Sequence, residues 1–106
     1  MPGNRFAKRK DSTHNEIQKA LDDAGWITED TSWIGRGWAD IFAASNCKPV
    51  PLTLFIEAKT GKGKLSEAES SLHQRFPANW IIANSGACAV TQAMEIRAQH
   101  LGVLSK

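Results

Sequence analysis

The chain has no apolar run approaching the ~18 residues that a membrane-spanning helix needs, and its N-terminus has no apolar signal core. A cytoplasmic location without membrane contact is therefore expected. Cysteine is scarce: Cys47 and Cys88 stand in unrelated contexts without metal-ligand spacing, so neither a zinc site nor a disulfide framework is indicated and both are read as reduced thiols. There is no internal repeat, no low-complexity segment, and no Ser-His-Asp, Cys-His, P-loop or zinc-knuckle pattern. A base-reading module such as a helix-turn-helix or zinc finger is also missing. His14, His73 and His100 have no i, i+4 partner or acidic neighbour that demands a metal, and are read as ordinary surface or helix-face histidines.

What is present is an ordinary globular composition. With 106 residues, 42% hydrophobic and 23% charged, the chain fits one domain spanning residues 1–106 rather than a disordered or collagenous polymer. The net charge of +2 is unevenly spread, because Arg5, Lys8, Arg9 and Lys10 put four positive charges into the first ten residues and leave nine bases against eleven acids afterwards. Residues 1–11 thus read as a basic arm on a nearly neutral body. Such an arm suits electrostatic contact with a phosphate backbone, and a solvated tail explains the same charges.

Periodicity orders the rest. Thr13 and Glu16 read as a capping box ahead of a helix whose stripe is Ile17, Ala20, Leu21 and Ala24, ended by Gly25. Residues 26–34 are rich in Thr, Ile and Trp and read as a strand. Gly35, Arg36 and Gly37 form a flexible connection into a strand beginning at Asp40, and residues 45–51 are turn chemistry before a further strand. A mobile basic loop over residues 60–64 leads to a second capping box, Ser66 with Glu69, and a helix with the stripe Leu65, Ala68, Leu72 and Phe76, ended by Pro77. Residues 80–84 and 87–90 read as short strands or one bent strand, and Thr91 as the cap of a last helix reaching about His100. The order is helix, three strands, helix, strand, helix, which predicts an α/β fold with a mixed β-sheet and flanking helices.

The chemistry concentrates in two of these strands, Gly37-Trp38-Ala39-Asp40-Ile41-Phe42 and Leu54-Phe55-Ile56-Glu57-Ala58-Lys59. Strand alternation puts Glu57 and Lys59 on one face, about 6.6 Å apart along the chain, with Leu54, Ile56 and Ala58 on the other. If Asp40 approaches the acidic face from its neighbouring strand, two carboxylates and an ammonium meet in a volume suited to one hydrated divalent ion. A turn aspartate and a solvated surface ion pair would use the same residues without chemistry. Lys62 and Lys64, beside glycines, are candidate phosphate contacts. Trp38 is read either as a stacking surface for an unpaired base or as packing.

With Glu16, Asp40, Glu57-Ala58-Lys59 and the αβββαβ order plus a C-terminal helix, the chain resembles the PD-(D/E)XK nuclease superfamily. Within that superfamily it looks most like the small stand-alone VRR-NUC domains, which are themselves similar to archaeal Holliday junction resolvases. Gly37-Trp38-Ala39-Asp40-Ile41 matches the family's glycine-any-proline-aspartate segment, with Ala39 where proline is usual. Ile56-Glu57-Ala58-Lys59-Thr60 and Lys64-Leu65-Ser66-Glu67-Ala68 match its acid-x-lysine strand and the turn into the next helix, so the likeness covers roughly residues 12–92. Glu69 stands where the family usually has glutamine, and Gln74, five residues on, is rotated by about 140° to another helix face.

The resemblance implies a restriction-endonuclease-like core and a Mg²⁺- or Mn²⁺-dependent endodeoxyribonuclease. Asp40, Glu57 and the Ala58 carbonyl would hold the metal. Lys59 would activate the attacking water or stabilise charge at phosphorus, and Glu16 would be an outer-shell or second-metal acid if it is more than a helix cap. Arg36, Lys62, Lys64, Lys8, Arg9 and Lys10 would contact nucleic acid. The expected substrate is branched DNA, such as a four-way junction, cut by a homodimer. The alternatives are a catalytically silent DNA-binding module and a nuclease subunit targeted by a helicase or recombination partner.

Overall fold

A computed structural model describes residues 12–35, 37–45, 51–60, 64–76 and 78–105. Among them the chain forms three helices, α1 (Ser12–Asp23), α2 (Glu67–Arg75) and α3 (Gly86–Ser105), and four strands, β1 (Ile27–Asp30), β2 (Ile41–Ser45), β3 (Leu52–Ala58) and β4 (Trp80–Ala83). The strands form one sheet in the order β1-β2-β3-β4, the first two pairings antiparallel and the last parallel. A parallel pair cannot be closed by a hairpin, and α2 lies in the crossover that joins β3 to β4. This is the mixed α/β arrangement that the order of elements predicts. No helix among the described residues is long and apolar enough to cross a membrane.

The two sheet faces differ. Leu52, Leu54 and Ile56 of β3 join Ile41 and Ala43 of β2 and Ile81 and Ala83 of β4 in a buried aliphatic layer against Ile17 and Leu21 of α1 and Ala89 and Ala93 of α3. Each large aliphatic side chain removed from water there contributes roughly 1.5–3 kcal/mol. The opposite face is aromatic. Phe55 is 5.1 to 5.7 Å, centroid to centroid, from Trp38, Phe42, Phe76 and Trp80, and α2 lies on this side. Trp38 is therefore a packing residue, stacked on Phe55 and leaning on Phe76 at 5.4 Å.

Several local readings change. β1 ends at Asp30, because the Asp30 carboxylate accepts from both the N–H and the hydroxyl of Ser32 and turns the chain into a 3₁₀ segment, Ser32–Ile34. Residues 87–90 are the first turns of α3, not a strand, and Thr91 lies inside that helix, which runs past His100. Ser85 supplies the cap instead, its hydroxyl accepting from the Cys88 N–H at 3.1 Å. Thr13 is the second residue of α1 rather than its cap, and Glu16 bonds away from its own helix, at the start of α3. His14 is a buried core histidine with Asp30 at 3.6 Å, because it continues the Ile17 and Leu21 stripe. The Ser66–Glu69 capping box forms with both of its bonds.

Candidate functional site

The site is built where β2 begins and β3 ends. Ile41 pairs with Ile56, which sets Asp40 opposite Glu57 in the antiparallel ladder, and the Asp40 N–H donates to the Ile56 carbonyl at 2.9 Å. Directly opposed residues share a face, so both carboxylates lie on the aromatic side of the sheet. The Asp40 side chain is fixed by the Ala58 N–H, which donates to Oδ2 at 2.8 Å. The turn before it is tight. Gly37 has φ +82°, and an added Cβ would lie 2.8 Å from the backbone of Ala68 in α2, so a side chain there is excluded twice over.

Glu57 is fully buried. The face that carries it is packed with Phe55 and Trp80, and His73 of α2 stacks on Trp80 and reaches Glu57. Burial, followed by repulsion from Glu69 and Asp40 and a hydrogen bond with Asp40, pushes the Glu57 carboxyl up to about 9, against the opposing pull of Lys59. Its Oε2 is 3.3 Å from His73 Nε2, and its Oε1 is buried with no hydrogen-bond partner among the described residues. His73 in turn stacks on Trp80 at 3.9 Å. Burial, opposed by Glu69 and aided by the Lys59 charge, holds its imidazole below the usual value and so favours the neutral ring.

His73 is the residue that sequence reasoning missed. Its position four residues after Glu69 on the same helix was the available signal, but only the packing of α2 over β3 shows that it faces Glu57.

Lys59 does reach the same neighbourhood, and its ammonium is held by Glu69 Oε1 at 2.7 Å with both side chains largely shielded. That same oxygen accepts the Ser66 N–H at 2.8 Å. Burial would raise the Glu69 carboxyl, and the bonds from Lys59 and Ser66 outweigh it and hold it below the usual carboxylate value. Glu69 therefore caps α2 and fixes Lys59 with one oxygen. Glu16 caps α3, its Oε2 accepting the Gly86 N–H at 2.7 Å, where an acid also complements the helix dipole. The two helices touch there, since a Cβ on Gly86 would lie 2.8 Å from that of Ala20.

Of the expected nucleic-acid contacts, Lys64 is exposed just ahead of the Ser66 cap. Arg36, Lys62, Lys8, Arg9 and Lys10, together with Cys47, lie outside the described residues. Among the described residues no three His, Cys, Asp or Glu side chains are arranged as a metal-binding group. Asp40 and Glu57 supply two donors, and a third would have to come from the backbone or solvent. Facing carboxylates with an orphaned buried oxygen suit a small hard cation, because a cation relieves the same repulsion that otherwise requires a proton. No family model matches the chain, and neither a curated protein nor a solved structure is matched by it.

Proposed function

We propose that the chain is a metal-dependent endodeoxyribonuclease with a restriction-endonuclease-like core of the VRR-NUC type, acting on branched DNA as a homodimer. The observation that carries this reading is the facing of Asp40 and Glu57 on one side of the sheet, with the Lys59 ammonium in the same neighbourhood. Mg²⁺ or Mn²⁺ bound by Asp40, Glu57 and the Ala58 carbonyl would supply Lewis-acid activation of the phosphate and of a water. Asp40 is held in place for this by the Ala58 N–H, and Glu57 must give up its proton to become a ligand. Lys59, anchored by Glu69, offers positive charge to the phosphate oxygens as negative charge develops there. The aromatic wall and α2 exclude bulk water and strengthen each of these interactions. The products would be 5′-phosphate and 3′-hydroxyl ends.

The test uses purified protein with a four-way junction, a flap and a linear duplex, with and without Mg²⁺. Cleavage of the junction that requires Mg²⁺ and vanishes in Asp40→Asn is the expected result, and equal attack on all three substrates removes the preference for branched DNA.

A second reading is a silent DNA-binding module, favoured by the engagement of Lys59 with Glu69. It predicts no cleavage by the wild type and junction binding unchanged in Asp40→Asn.

A further inference from the structure

Trp33 is the most exposed large hydrophobic residue described, with 77% of its surface open to solvent. An indole held in water is costly, and the segment that carries it is firmly fixed. The Asp30 carboxylate bonds the N–H and hydroxyl of Ser32, and the Ile34 N–H donates to the Thr31 carbonyl at 3.1 Å. The segment is also tied to the start of the acidic pair. The Thr31 N–H donates to the Asp40 carbonyl at 2.9 Å, and its hydroxyl donates to that of Ala39 at 2.8 Å. Thr31 and Ile34 line a shallow apolar pocket with Trp38, Ala39, Phe42 and Phe55, which puts this turn beside the aromatic face of the sheet. Trp33 thus stands out from a rigid turn, two residues from a direct bond to the Asp40 backbone.

We infer that Trp33 is a stacking platform for an unpaired nucleobase next to the phosphate held at Asp40 and Glu57, and that it contributes the preference for branched over continuous duplex DNA. This rests on the nuclease reading and extends it. Every base offers a π-face, so one indole can recognise an unstacked nucleotide without reading its identity, as suits selection by shape. A fully paired duplex offers no free face of this kind except at its ends.

The test measures binding in Ca²⁺ without Mg²⁺, with a flap oligonucleotide and with a closed-hairpin duplex that has no free ends. Tryptophan emission is followed in wild type, Trp33→Ala and Trp33→Phe. The flap is expected to quench wild-type emission, and Trp33→Ala to lose that quench and bind the flap about ten-fold more weakly, a typical loss for one stacked base. Trp33→Phe should retain most of the affinity, and duplex binding should be the same in all three. Unchanged flap affinity in Trp33→Ala overturns the inference, as does a fall in oligomeric mass on sedimentation, which would make Trp33 a protein interface anchor. Mg²⁺-dependent cleavage is assayed in parallel. Trp33-dependent flap binding without cleavage would sink the nuclease reading alone, whereas cleavage with Trp33-independent binding would sink the platform alone.

Discussion

A carboxyl without water or a full set of partners holds its proton, and Glu57 is in that position. Its folded value of about 9 lies above the unfolded value near 4.5, so its contribution to stability is fully present below about 4.5 and is lost as pH rises through about 9. Wild type should therefore lose stability relative to Glu57→Gln across that interval, read as the difference in melting temperature at a series of pH values without metal. A parallel pH dependence in the two proteins would mean that Glu57 is ionised throughout. If Glu57 ligates a cation, the proton must leave, so apparent Mg²⁺ affinity should rise with pH toward 9 and binding should release protons, measurable by calorimetry in buffers of different ionisation enthalpy. At Gly37, alanine meets both a positive φ and the Ala68 backbone, and Gly37→Ala should cost about 1–3 kcal/mol in denaturant unfolding. A cost near zero would mean that α2 moves away freely.

Among the elements, α2 does the most for the site. It brings His73 to Glu57, Glu69 to Lys59 and Phe76 to the aromatic wall, and its start is set by the Ser66–Glu69 box. Glutamine can also fill the third position of such a box, so Glu69→Gln should keep the helix and cost under about 1 kcal/mol, while Glu69→Ala loses the box and the ion pair together and costs about 1–2 kcal/mol. Equal costs would show that the pairing with Lys59, not the cap, dominates. Under the nuclease reading, Lys59→Ala should lower turnover by about 100-fold or more with little change in DNA binding. A change confined to binding would make Lys59 a phosphate contact.

For the molecule as a whole, the sheet separates two jobs. Its aliphatic face against α1 and α3 holds the core, while its aromatic face carries the acidic pair. Glu16 joins the first helix to the last across the chain, so it belongs to the structural side as well as being a candidate acid. Glu16→Gln keeps a hydrogen-bond acceptor for Gly86 and removes the charge at the α3 N-terminus, a loss of about 0.3–1 kcal/mol. Cleavage unchanged after correction for stability would mark Glu16 as a cap alone, and a collapse of turnover in a folded variant would mark it as an acid of the site.

Local pattern was enough to read the alternation of β3, the split of Leu54 and Ile56 from Glu57 and Lys59, the second capping box and the order of helices and strands, because each is set by neighbours within a few residues. Residues 87–90 were misread because a short apolar run is the same in a buried helix turn and a strand, and Ser85 could be told as a cap only once the helix was there. What tertiary structure alone decided is the environment of those groups. The burial of Glu57 follows from aromatic side chains on separate strands and from His73, 16 residues away, while the destination of Glu16 lies 70 residues along the chain. A side chain's chemical type is local, but its dielectric surroundings and its partners are properties of segments that meet only on folding.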